Sequence, residues 1–159
     1  MKKLLIILAV LGAAAGFGIY KLVNVFSKAQ ELGNTAVASF HSDYNAKRMN
    51  AIHAAAAPAF RAAETPESFE QKMAGAYEAL GAWKSGESTG TNVNNDNGNK
   101  TLTMTCSAKW EKGAGTETFT FDYNGDLPLL VNYHYKLETP ATPVAPVAPA
   151  APAEAPANP

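Results

Sequence analysis

The central part of this chain is predicted to fold as an α+β domain, with helices in its first half and an antiparallel sheet in its second. Three observations predict it. Apolar residues recur at helical spacing as far as Gly81, they alternate strictly from Leu102 onward, and turn-forming residues fall between the alternating stretches. At 159 residues the chain has the size of one domain, and both ends are poor core material, which leaves a folded region of about 110 residues. A region of that size buries a real core but has little surplus stability for strained or strongly polar sites.

The chain begins Met1-Lys2-Lys3 and then runs without a charge from Leu4 to Tyr20; after Lys21, Leu22 to Phe26 is again mostly apolar. A bilayer core needs about 20 apolar residues of helix, so residues 1–26 read as a single-pass signal anchor if Leu22, Val23, Val25 and Phe26 join the span and Lys21 snorkels. The competing reading is a signal peptide, with Leu4 to Leu11 as its apolar stretch and Ala13, Ala14 and Ala15 as the small residues before cleavage. No cysteine follows the run, so lipid attachment there is excluded. Lys2 and Lys3 place the N-terminus in the cytoplasm by the positive-inside rule. The expected location is therefore the inner membrane, with the domain facing the periplasm or the cell exterior, or the free periplasm if the segment is cleaved. Gly12 and Gly16 have the G-x-x-x-G spacing that lets two membrane helices pack closely as a homodimer, although Gly and Ala are common in such segments anyway. The formal charge of the whole chain is −1, and without Lys2, Lys3 and Lys21 the remainder stands at −4. A mildly acidic exterior argues against nucleic acid as a partner.

Leu32, Ala36, Phe40 and Tyr44 recur every fourth residue and predict a first helix from about Ala29 to Asn45. A short second helix is expected around Met49 and Ile52, ending before Pro58. Thr65-Pro66-Glu67 supplies a cap, a proline at the first helical position and an acid at the positive end of the dipole; it starts a third helix that Gly81 stops, with Phe69, Met73, Tyr77 and Leu80 on its apolar stripe.

Alternation then takes over. Leu102, Met104, Cys106, Ala108 and Trp110 share one face, as do Phe119, Phe121 and Tyr123, and then Val131, Tyr133, Tyr135 and Leu137. Turns are expected at Gly113-Ala114-Gly115 and at Asn124-Gly125, with Pro128 ahead of the last strand. A weaker first strand is expected from Trp83 to Thr91, followed by a mobile polar loop from Asn92 to Asn99. The sum is a curved meander of about four strands with helices on its apolar face, and no internal repeat.

From Thr139 onward the sequence is almost wholly Pro, Ala, Val and Thr, with prolines at 140, 143, 146, 149 and 152. That three-residue step matches one turn of polyproline II. Residues 139–159 are expected to be a disordered Pro/Ala-rich tail, the alternative being a rod that docks in an aromatic-lined groove.

The stretch Phe40-His41-Ser42-Asp43-Tyr44, the helix Ala51 to Ala57, the segment Thr65-Pro66-Glu67-Ser68-Phe69-Glu70 and the Leu80-Gly81 before the strands together resemble small NTF2-like (cystatin-like α+β) domains of uncharacterised bacterial families. The resemblance covers residues 29–138. It implies a cone-shaped domain whose sheet and helices enclose a pocket, a shape used elsewhere in the superfamily for isomerase or dehydratase chemistry, ligand holding or protein contact. Nothing here matches the first small hairpin of the larger members, which implies a shallower pocket.

Chemistry is mostly eliminated by the residues. Cys106 is the only cysteine, so no internal disulfide and no thiolate metal cluster can form, and its apolar face predicts a buried, inert thiol. There is no P-loop, dinucleotide glycine pattern, G-x-S-x-G or H-E-x-x-H, and Asn94 to Gly98 resembles a calcium loop in composition alone. No cofactor and no metal are expected. An NTF2-like isomerase would need an inward carboxylate as base and a donor for the developing oxyanion. Donors are at hand in Tyr77, Tyr133 and Tyr135, but the expected inward positions carry no carboxylate, since Asp122 and His134 alternate outward and His41 and Asp43 cannot share one helix stripe. His53 is expected at a surface or cap, or at a pocket edge, and Glu67 and Glu70 on an exposed helix face.

Tyr44, Tyr77, Trp83, Met104 and Tyr133 are the expected ligand-binding residues, with no catalytic residue assigned. The function expected is a membrane-tethered extracytoplasmic binding or accessory module, non-enzymatic, with an envelope protein as its partner class. Its rival is a small-molecule enzyme of isomerase or dehydratase type whose base is hidden by a one-residue register slip. A closed interior without carboxylate or imidazole favours the first, and an open pocket with either group among tyrosines favours the second.

Overall fold

The computed structural model describes residues 26–124 and 127–138. The expected anchor or signal segment with Gly12 and Gly16, the proline-rich stretch from 139 and half of the Asn124-Gly125 turn lie outside them. No helix among the described residues is long and apolar enough to cross a membrane.

Helix α1 is described from residue 26 to 45. Its most buried row is Ala29, Gly33, Val37 and His41, with Phe40 and Tyr44 beside it, whereas Leu32 and Ala36 of the expected row are only partly buried. Gly33 explains the rotation. A side chain there would collide with Met104 Sδ and Leu102 Cδ2, so the missing Cβ lets α1 settle directly onto the sheet. That docking turns His41 inward.

Helix α2 spans Met49–Ala55, α3 Pro58–Ala63 and α4 Pro66–Leu80. α3 was not expected. Pro58 reads as a break, but at a first helical position the missing N–H has no intrahelical partner to lose, so the proline opens a helix there instead. α4 begins and ends as its sequence requires: Ser68 N donates to Thr65 Oγ1 at 3.2 Å, and Gly81, at φ 76°, donates its N–H to the Tyr77 carbonyl at 2.8 Å.

The sheet is an antiparallel meander of β1 (Trp83–Asp96), β2 (Asn99–Trp110), β3 (Gly113–Asp122) and β4 (Leu129–Leu137), in that spatial order. Together with the helices packed on one of its faces it makes an α+β fold. Three details depart from the sequence-based expectation. Asn92 to Asp96 form strand rather than loop, pairing with Asn99 to Thr103. Asn97 and Gly98, at φ 51° and 90°, make the tight turn, the positive φ at both positions being the type I′ geometry that Asn-Gly favours. The next turn is Glu111-Lys112, since Gly113 already pairs with Trp110. Gly115 is needed inside β3 because a Cβ there would collide with the Lys136 carbonyl oxygen. Between β3 and β4 the register shifts at Thr120/Phe121, skipping Val131, so Leu130 rather than Val131 enters the core opposite Phe121.

Candidate functional site

Alternation along β3 carries Gly115, Glu117, Phe119 and Phe121 to the face covered by the helices, and all four are buried. The interior therefore holds a carboxylate, contrary to the expectation drawn from the sequence. Glu117 is 1% exposed, between its register partners Cys106 on β2 and Tyr135 on β4. The Tyr133 hydroxyl donates to Glu117 Oε1 at 2.7 Å, and His41 Nε2 lies 2.9 Å from Glu117 Oε2. With a carboxylate as its partner, Nε2–H is the donor of this bond. His41 is itself 4% exposed. A His41–Glu117–Tyr133 chain thus crosses the core from α1 to β4.

The chain is packed in by rings. Phe119 meets Phe40, His41 and Tyr133 with centroids 5.1, 5.7 and 5.1 Å apart, and Trp83 stacks on His41 at 4.0 Å and 11°. Asn45, at the end of α1, holds Trp83 in place: its Oδ1 accepts from Trp83 N at 2.8 Å and its Nδ2 donates to Trp83 O at 2.9 Å. Tyr44 adds a bond to the Gly81 carbonyl at 3.1 Å. The Trp83 indole N–H is shielded and has no partner among the described residues. Shielded donors are nearly always paired, so this one marks an incomplete environment.

Burial, then the Glu117 charge, then the bond to that carboxylate hold the Tyr133 phenol far above its ordinary range. Burial, followed by the charges of nearby groups, raises Tyr44 as well. Both remain neutral donors at any working pH.

An open groove of about 450 Å³ lies between α1 and the β1–β2 edge, reaching from Gln30 and Asn34 to His41, Trp83 and Cys106, with Ser88 and Ser107 along its side. A second, of about 400 Å³, runs between α3, α4 and β4 and is lined by Phe60, Phe69, Met73, Tyr133 and Tyr135 among others. Of the five expected ligand-binding residues, Trp83 lines the first and Tyr133 the second. Tyr44 and Met104 are instead core residues, at 1% and 0% exposure: Met104 lies directly under Gly33, and Tyr44, near the end of α1, packs against Phe40 and Tyr77. Tyr77 packs on Tyr44 at 5.2 Å and under the Lys47 ammonium at 4.6 Å.

His53 is neither at a surface nor at a pocket edge. It is buried, its Nε2 donating to the Glu64 carbonyl at 2.7 Å between Phe60 and Phe69, which ties α2 to the start of α4. Asp122 and His134 do stand off the buried face: Asp122 accepts from Asn124, and His134 is exposed. Among the described residues no group of three or more His, Cys, Asp or Glu is placed to hold a metal ion. His41 and Glu117 are the groups sequence reasoning missed. The signal for Glu117 is the alternation from Phe119 carried two residues further back.

Cys106 is buried at 4% exposure, as its position predicts. Burial first and the Glu117 charge second push its thiol from 9.0 up to about 11. At pH 8 a thiol of that kind is roughly a hundredfold less ionised than a free one, and iodoacetamide will label the native protein at least that much more slowly than the urea-unfolded chain. The native state retains a proton that the unfolded thiol releases, so this contribution to stability is intact below pH 9 and falls away as pH rises towards 11. Equal labelling rates in the two states would contradict this placement of the thiol.

No protein-family model matches this chain, and no curated protein is significantly similar to it.

Proposed function

We propose that this chain is a membrane-tethered, extracytoplasmic binding or accessory module of the NTF2-like, cone-shaped class, which holds a small polar molecule without transforming it. The observation that carries the reading is the inner end of the α1–β1 groove, where His41 and Trp83 stack and the indole N–H lacks an acceptor. An unpaired shielded donor costs about 1–3 kcal/mol, and a ligand oxygen reached by a small movement of the indole removes that cost. The amides of Gln30 and Asn34 and the hydroxyls of Ser88 and Ser107 offer further neutral hydrogen bonds along the groove. Lys2 and Lys3 ahead of the apolar run support the tether and its orientation.

The buried Glu117 carboxylate and His41 imidazole run against the interior expected of a binding module, and a non-enzymatic role is favoured only because neither Glu117 nor Tyr133 lines the α1–β1 groove. Glu117 and Tyr133 are bonded to each other in the interior, and Cys106 stays a thiol. One observation favours the isomerase or dehydratase reading: a buried carboxylate is bonded to the His41 imidazole, and His41 lines the groove.

Native mass spectrometry of the full-length protein, extracted from membranes in mild detergent, tests the two against each other. A bound small molecule is expected in the wild type, weakened in His41→Gln, which loses the stack on Trp83, and lost at least tenfold in Trp83→Ala. Absence of any bound mass, or full retention in Trp83→Ala, sinks the groove as a ligand site. Release of a product by the wild type but not by His41→Gln selects the enzyme. Recovery of a soluble chain beginning near Gly16 would remove the tether.

A further inference from the structure

Four large apolar side chains are exposed among the described residues: Phe26 at 43%, Leu127 at 71%, Leu129 at 36% and Leu137 at 44%. Three of them share one end of the domain. α1 runs along β2 from Gly33, which lies against Leu102 and Met104, to Asn45, which holds Trp83 opposite Trp110. Phe26 stands seven residues before Gly33, about 10 Å further along the helix axis. The same length of strand carries β2 back from Leu102 to about Asn99, beside the Asn97-Gly98 turn. Leu129 is joined through Asp122 to Thr101, and Leu127 lies two residues beyond it at that same end. Leu137 pairs with Gly115 at the other end.

The arrangement suits a flat apolar boundary. α1 covers one face of the sheet, whereas Leu129, next to the core residue Leu130, stands on the other. Phe26 and Leu129 therefore bracket the end of the sheet with Leu127 beyond it, and a plane laid across that end meets all three. Charges there are mixed, Lys28 and Lys100 with Glu31, Asp96 and Asp122, so they select no charged partner. The sequence says what the plane is. The apolar run that begins at Leu4 closes on Phe26, and Phe26 already belongs to α1, so no linker separates the run from the domain.

We infer that the end of the domain carrying Phe26, Leu127 and Leu129 sits in the interfacial layer of the lipid bilayer, with the Trp83 end held away from it in water. The inference rests on the tether reading and goes beyond it, since a tether alone does not say which surface meets lipid. Apolar side chains gain burial in that layer without needing a partner protein. The α1–β1 groove then points outward, from Gln30 on the lipid side to Trp83 on the far side.

The test uses the full-length protein reconstituted in phosphatidylcholine vesicles, with an environment-sensitive fluorophore on Leu127→Cys or, at the far end, on Ser85→Cys. Both positions are exposed, and buried Cys106 resists labelling. Lipids bearing a nitroxide just below the headgroup should quench the dye at 127 strongly and leave the dye at 85 bright, whether or not phosphatidylglycerol is added. Adding Leu129→Glu should cut the quenching at 127 severalfold, because a carboxylate resists leaving water. Quenching unchanged by that substitution would mean proximity without insertion, and quenching that requires phosphatidylglycerol would mean an ionic contact through the lysines; either overturns the apolar contact. A dye at 127 that stays bright while the protein resists alkaline extraction overturns this inference and leaves the tether standing. Release of the protein by alkaline extraction sinks both.

Discussion

Replacing Glu117 with alanine should destabilise the domain by about 3–5 kcal/mol, because two buried donors lose their acceptor and a void is left behind. Two groups lose their acceptor at once, the Tyr133 hydroxyl and the buried His41 Nε2. Each unsatisfied buried donor costs about 1–3 kcal/mol, and the deleted side chain leaves a void between Cys106 and Tyr135. Glu117→Gln keeps the shape and still accepts one bond, so it should cost about 1–2 kcal/mol. Urea unfolding measures both, as a fall in midpoint at unchanged slope. A loss below about 1 kcal/mol for the alanine variant would mean that water enters and satisfies both partners, which the 1% exposure of Glu117 argues against. Replacing all three members together by Leu, Leu and Phe should be close to neutral, because an apolar core needs no such chain. The His41–Glu117–Tyr133 cluster is therefore a poor device for stability alone, which is why it is read with the groove.

Phe119→Ala is the second large effect, about 3–5 kcal/mol. Phe119 is fully buried and its ring contacts Phe40, His41, Phe121 and Tyr133, so the loss combines transfer, cavity and aromatic contacts. Against a total stability of about 5–15 kcal/mol for a domain of this size, either substitution removes a large share. Phe119→Ala also frees two members of the polar chain to change rotamer. It should therefore weaken ligand retention in the α1–β1 groove even where the protein remains folded, and near-ultraviolet circular dichroism should show the loss of fixed aromatic packing. An unaltered aromatic spectrum in the folded variant would contradict the role given to this ring.

Much of the fold was legible because the signals are local. Thr65-Pro66 and Gly81 bound α4 through hydrogen bonds within a few residues, and the alternation from Leu102 to Trp110 sets the inward face of β2 whatever its neighbours are. The errors arose where two segments compete. Asn92 to Asp96 has poor strand propensity and is held extended by pairing with β2, while the register shift at Phe121 exchanges Leu130 for Val131. Pro58 carries the same local chemistry as a break or as a helix start, and the packing of α3 against β4 accompanies the second outcome.

The sequence by itself determined the helical first half, the alternating second half, the buried thiol and the uncharged proline-rich stretch, since each depends on spacing along the chain. Only the tertiary structure decided the site. His41 enters the core because Gly33 lets α1 lie close on β2, and Glu117 is tolerated there because Tyr133 and His41 come from elements 16 and 76 residues away to satisfy it. A buried carboxylate is stable only beside its partners, and these two meet it only once β4 pairs with β3 and α1 closes over the sheet.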